Sequence, residues 1–281
     1  MSHDTKPRLT VPAGACDCHM HIYDDRFPPS DRAYLFPRNF LVDDYLAMRA
    51  RLGIDRTVIV QPVTYGFDNR CTLEAVARIG DSARCIVTVP TDATDETLAD
   101  LRGRGARGFR FHQMRGGVLA WEDLPVMADR IRGSDWHVQV QLDGMELPER
   151  EEAIAALPCT VVLDHMGRFS GEVDLDHPAV RALLRLAARD NVFVKLSGAS
   201  YVSRQGAPGY GDLYPLARAL VGVSDRLVWG SDWPHPTETD ETRPDDARLL
   251  DLLGDWDLTP AQVKAVLCAT PARLYGFSPV D

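Results

Sequence analysis

Eight short apolar runs recur along the chain, and each is followed by a stretch with helical character, a rhythm few folds can accommodate. The runs are "ACDCHMHIY" (15–23), "TVIVQ" (57–61), "CIVTV" (85–89), "GFRFH" (108–112), "HVQVQL" (137–142), "TVVLDH" (160–165), "VFVKLS" (192–197) and "RLVWGSD" (226–232). Most are apolar on both faces, as parallel strands covered by helices must be. Between them, Leu41, Tyr45, Met48 and Leu52 share one helical face, and Ile154 and Leu157 follow a helix start near Pro148. Thr259 is placed to cap a helix beginning at Pro260, with a short helix from Thr270. Eight β-then-α units in 281 residues predict an α/β fold, a closed (β/α)8 TIM barrel. It forms one domain, 1–281, whose first 12 or so residues make a loose N-terminal arm. A doubly wound open sheet is the alternative, but it usually carries a glycine-rich phosphate turn after its first strand. Here that turn reads "HMHIYDDRFPPS".

A barrel of this kind does its chemistry where the strands end, so the polar residues there matter most. On a strand, alternate residues share a face. Asp17, His19 and His21 are therefore expected on one face, with Cys16, Cys18 and Met20 on the other, packed between barrel and helices. That arrangement excludes a Cys-x-Cys-His-x-His zinc cluster, because thiols and imidazoles would point apart. A lone histidine would read as a satisfied core residue, whereas a spaced pair closing a strand calls for partners. His165 closes the sixth run and Asp232 the eighth; His235 lies past a proline and reads as supporting. Lys195, inside the seventh run, is a buried charge that needs a partner. Arg110, Arg115, Arg168 and Arg204 gather at the same end, where guanidinium forks suit a carboxylate. Three longer connections, 23–40, 198–212 and 233–246, belong to that mouth.

The formal net charge of −10 disfavours nucleic acid and anionic membranes as partners, so an anionic substrate must be held by local arginines. No apolar run is long enough to span a bilayer, and the opening residues lack a signal-peptide core. The six cysteines show no paired spacing and read as reduced thiols, so the expected location is cytoplasmic. A homo-oligomer is compatible with all of this.

The motifs "HMH" after the first strand, "DHMGR" after the sixth and "WGSDWPHP" after the eighth resemble the amidohydrolase superfamily. Within it, in amidohydrolase-related family 2, they resemble the branch of 2-pyrone-4,6-dicarboxylate lactonase and related lactone hydrolases and isomerases. The likeness covers nearly the whole chain. It implies an enzyme that opens a lactone, with Asp232 as the base activating water and His19, His21 and His165 polarising the carbonyl. It implies Tyr34, Arg115 and Arg168 as substrate-side groups, joined by Arg110, Tyr201 and Arg204 at the mouth. In metal-using relatives the same four residues, His19, His21, His165 and Asp232, would ligate an ion, and a single zinc suits that set. A binuclear centre would want a lysine on the fourth strand, which reads "RGFRFHQ". The resemblance to a metal-free branch therefore favours no cofactor.

Two departures bear on the substrate. Val63 stands where the branch has a hydroxyl, and Tyr201 where it has an arginine. They favour a small-molecule anionic lactone with one charged end, of muconolactone or sugar-acid type, over the pyrone dicarboxylate. An aldarolactone isomerase of the same branch is the first alternative and a metal-dependent decarboxylase of an aromatic or muconate-type acid the second. A non-catalytic binding barrel would require a degraded site, and all four positions are filled.

Overall fold

The computed structural model describes residues 5–278. The strands are β1 (Cys16–Met20), β2 (Arg56–Val60), β3 (Ala83–Val87), β4 (Ala106–His112), β5 (His137–Gln141), β6 (Thr160–Leu163), β7 (Val192–Leu196) and β8 (Leu227–Trp229). They pair in parallel in chain order. The ring closes beyond the short β8, where Asp232 N–H donates to His19 O (2.7 Å) and His21 N–H to Trp233 O (2.8 Å). Gly230 permits that closure, because a Cβ there would lie 2.6 Å from the His19 Cβ. The fold is the (β/α)8 barrel expected.

Helices follow the strands: α1 (Val42–Leu52), α2 (Arg70–Ile79), α3 (Asp95–Gly103), α4 (Asp123–Arg130), α5 (Leu147–Ala155) and α6 (Pro178–Ala187). The later ones are α7 (Ala199–Val202), α8 (Tyr214–Val223), α9 (Asp246–Asp255), α10 (Pro260–Lys264) and α11 (Thr270–Tyr275). Thr259 caps α10 through a reciprocal bond with Gln262, as its sequence position suggests. α10 and α11 are joined by a π-helical turn, Ala265–Ala269, rather than by a break. Of the 12 or so residues expected as a loose arm, the first four lie outside the described residues, and the Arg8 and Leu9 backbone N–H groups donate to Asp251 on α9. The Arg8 guanidinium bridges on to Asp255.

Two apolar layers separate cleanly. The larger one lies between strands and helices; the smaller fills the lower barrel with Val58, Val60, Ile86, Val162, Phe193 and Val228, plugged by Tyr275 and Phe277. Cys16 and Cys18 belong to this inner floor, which corrects the expected facing of β1. Asp17 points outward instead, accepting from Ser231 Oγ (2.6 Å) and Tyr45 OH (3.2 Å). The cause is a bulge: from Asp17 to Met20 the strand advances three residues while β2 advances from Thr57 to Ile59. The extra residue turns His19 inward beside His21. The thiols stay out of any metal cluster because they sit lower in the barrel, not because they face away.

Candidate active site

At the mouth, the Asp232 carboxylate receives three imidazoles. Its Oδ1 lies 3.5 Å from His19 Nε2, 3.5 Å from His21 Nε2 and 3.8 Å from His165 Nε2. Its Oδ2 accepts from Tyr201 OH at 2.7 Å. These five residues converge from the ends of four strands, His19 and His21 sharing β1, and the backbone bends to aim them: His165 and Asp232 both adopt positive φ, 53° and 65°. For non-glycine residues such conformations cost energy and cluster at working sites. Gly198 serves the same end, since a Cβ there would lie within 2.7 Å of the His165 side chain.

Each imidazole is oriented through its other nitrogen. His21 Nδ1 donates to Val60 O (2.8 Å), which leaves Nε2 turned to the pocket. His165 Nδ1 bonds Ser197 Oγ (2.9 Å). His19 Nδ1 meets the Lys195 ammonium at 3.2 Å, and Lys195 also donates to Cys18 O and Gln139 Oε1. Nδ1 thus faces both a cation and the Asp164 carboxylate, while Nε2 is turned toward Asp232 with no hydrogen-bond partner among the described residues. Asp164 stands 3.4 Å from both His19 Nδ1 and Lys195 Nζ, supplying the partner a buried lysine requires.

The charge states follow. Burial pushes the His19 imidazole well below its usual range, helped by Lys195, and burial likewise lowers His165. Burial acts to raise the Asp232 carboxyl, but His165, His21 and His19 outweigh it and hold the group well below the usual carboxylate range. Asp164 behaves alike, with Lys195 and His19 overcoming burial. Burial, then Asp232, pushes the Tyr201 phenol well up, so it remains a donor. The centre is an anionic carboxylate ringed by hydrogen-bonding groups.

Around it the pocket is lined by Tyr23, Tyr34, Arg110, Arg115, Arg168 and Tyr201, with Leu35, Val63, Met114 and Pro236 on apolar stretches. Arg110 is fixed by Gln61 O (2.6 Å) and Gln141 Oε1 (3.0 Å). Arg115 lies over the Tyr34 ring (4.9 Å) and Arg168 over the Tyr201 ring (4.7 Å), and neither guanidinium has a hydrogen bond or ion pair among the described residues. Nine of the ten anticipated site residues thus share one pocket's surroundings. The tenth, Arg204, does not: it turns to Ser170 O and lies beside the 171–175 segment, on the outer side of the loop. Loop membership alone suggested the mouth, but the Ser203 hydroxyl and the Arg204 backbone N–H both donate to Asp212, and the Arg204 side chain leads away.

Asp164, Gln139 and Gln141 were not anticipated. Asp164 could have been flagged as the residue before His165, and Gln139 and Gln141 by their inward alternation on β5. His19, His165 and Asp232 each offer a ligand atom within 4.8 Å of the others, a spacing able to hold one divalent ion. No helix among the described residues is long and apolar enough to cross a membrane.

Comparison with known proteins now bears on this geometry. A family model described as amidohydrolase matches residues 16–277. A 4-sulfomuconolactone hydrolase of Rhizobium radiobacter is 36% identical, over 95% of this chain and 92% of its own length. A D-galactarolactone isomerase of Agrobacterium fabrum (strain C58 / ATCC 33970) is 32% identical over 98% and 96%. A crystal structure of an Agrobacterium tumefaciens protein without ligand superposes with a TM-score of 0.92 at 32% identity, covering 98% of each chain.

Proposed function

The chain belongs to the amidohydrolase family, and from that premise we propose that it hydrolyses a lactone bearing one anionic group. The observation that carries this reading is the lone carboxylate, Asp232, facing three imidazoles beside two unengaged arginines. Ring opening needs a base for water and a donor for the carbonyl oxygen as it becomes an oxyanion. Asp232 takes the proton from water and returns it to the departing ring oxygen. Tyr201 holds Oδ2, so Oδ1 is the working atom. His19, with Lys195 and Asp164 behind it, and His165 supply donors to the oxyanion, and His21 Nε2 orients the water. Arg115 and Arg168 grip the substrate's anionic end, with their guanidinium planes set by the tyrosines beneath. Tyr34 and Arg110 complete the pocket wall.

The spacing of His19, His165 and Asp232 fits one divalent ion, which these three would hold, with His21 beside them, and which would polarise the carbonyl. The fourth strand without a lysine and the protein donors already around Asp232, Tyr201 among them, support the metal-free form. We therefore assign the oxyanion to protein donors. The six cysteines, all buried and unpaired, suit a reducing compartment such as the cytoplasm.

Hydrolysis is separated from isomerisation by proton release. A pH-indicator screen of carboxylated and neutral lactones should show one proton per carboxylated ring opened. Conversion of such lactones without acid release would replace hydrolysis by isomerisation, the reading favoured by likeness to the isomerase.

A further inference from the structure

His112 ends β4 two residues beyond Arg110, so both side chains enter the barrel mouth from the same strand face. Its two ring nitrogens are buried, and neither has a hydrogen-bond partner among the described residues. Gln141 sits beside it without hydrogen-bond geometry; the Gln141 carbonyl oxygen is committed to Arg110, and its amide nitrogen meets only the Met114 sulfur at 4.0 Å. Buried polar atoms are nearly always paired, so two unpartnered ring nitrogens on a pocket-lining residue point to a partner that a ligand could supply. Burial pushes the imidazole down to about 3, with Arg110 acting the same way, so the ring is neutral at working pH. A neutral imidazole carries one N–H and one lone pair. An anion could satisfy only the first, and the arginines already serve it better. A hydroxyl donates and accepts, and therefore suits the ring in either tautomer.

We propose that His112, together with the Gln141 amide, reads a hydroxyl group on the substrate, making it a specificity-determining residue that selects hydroxylated, sugar-acid-type lactones over deoxy ones. This rests on the lactone reading above and deepens it. Arg115 and Arg168 hold the carboxylate, and His112 reads the far side of the ring. Val63, Leu35 and Met114 add no polar group to the pocket, whose hydroxyls come from Tyr23, Tyr34, Tyr201 and Thr237.

The experiment compares two probes of equal ring size with one carboxylate each: D-glucaro-1,4-lactone, which carries hydroxyls, and muconolactone, which carries none. Binding is measured by calorimetry to wild type, His112→Phe and His112→Gln, with ring opening followed separately by proton release. Wild type should bind the hydroxylated probe about tenfold more tightly, the worth of one good hydrogen bond. His112→Phe should erase that preference while changing muconolactone binding by less than about twofold, and His112→Gln, which keeps a donor and an acceptor, should restore part of it. Thermal stability of His112→Phe should not fall, since it removes unpaired buried atoms. Equal losses on both probes, or no preference in wild type, overturn the assignment. Hydroxyl-dependent binding with no ring opening of either probe would uphold His112 and sink the hydrolase reading instead.

Discussion

The lower and upper halves of the barrel interior are built from the same strands, and they differ in nearly every respect. Below, Cys16, Val58, Ile86, Val162, Phe193 and Val228 close a dry floor on Tyr275 and Phe277. Above, at and just beyond the ends of β1, β6, β7 and β8, the buried residues are charged or hydrogen-bonding: His19, His21, His165, Lys195 and Asp232. The floor is held by dispersion and burial, which ask only for volume and shape. The mouth buries charges and bends backbone into positive φ, costs that the floor offsets. Two histidines mark the contrast. His137, in the floor against the Tyr275 ring, and His112, at the mouth, both have unpartnered nitrogens and both are pushed by burial to about 3. Only His112 lines the pocket. The lesson is that one sheet can carry stability in its lower layer and chemistry in its upper one, with little shared between them.

The sharpest break removes chemistry without touching the floor. Asp232→Asn should lower kcat by at least about 10²-fold, the usual scale for losing a general base, because an amide cannot take water's proton. Its melting temperature should fall modestly with the unfolding transition still cooperative, since the imidazoles hold the carboxylate ionised in the folded state. A variant keeping more than about a tenth of the rate would end the base assignment for Asp232. The opposite break is Phe193→Ala. It should cost about 3–5 kcal/mol of stability in denaturant titrations, from the cavity left in the floor. The folded fraction should turn over at the normal rate; a proportionate loss of rate would show that floor and mouth are coupled.

A smaller effect is expected at the arginines. Arg115→Met or Arg168→Met removes a charge-assisted contact worth roughly 1.5–3 kcal/mol, about 10- to 150-fold in kcat/KM on a carboxylated lactone. Neutral lactones of the same ring size should scarcely respond, and lysine should rescue only in part. Arg204→Met serves as the control, because its side chain leaves the mouth. Equal losses for charged and neutral lactones would make these arginines structural.

The mildest test is a pH titration of stability. His137 titrates near 3 when folded and near its ordinary 6.5 when unfolded, so between those values only the unfolded chain takes up its proton. Its contribution is present above about pH 6.5 and is lost as pH falls, at about 1.4 kcal/mol per unit. His137→Leu should flatten this acid limb of the stability curve. An unchanged limb would mean that other groups set it.

The barrel was legible in the sequence because parallel strands buried on both faces leave continuous apolar runs, and the strand-end position of His19, His21, His165 and Asp232 was legible for the same reason. The β1 bulge was not. Strict alternation placed Asp17 with the imidazoles, and nothing local announces that one extra residue would leave Cys16 and Cys18 inward and Asp17 outward while His19 still faces the axis. Asp164 was obscured by its own context, since a carboxylate before a turn reads equally as a cap; its meaning comes from Lys195, 31 positions away in sequence but 3.4 Å away in the barrel. Arg204 shows the converse error, in which loop membership was taken for orientation. His112 had a readable signal in the inward alternation of Gly108, Arg110 and His112, which the apolar look of "GFRFH" concealed.

The chemistry proposed stands on a mouth run by the protein's own side chains, with Lys195 and Asp164 behind His19 and its Nε2 facing the pocket. The direct measurement is the rate of proton release from a carboxylated lactone after overnight chelation and removal of the chelator, with zinc then added back. The account predicts an unchanged rate in the stripped enzyme and no gain from zinc. Loss of the rate on chelation, restored by one equivalent of zinc, would contradict it and make His19, His21, His165 and Asp232 a metal centre.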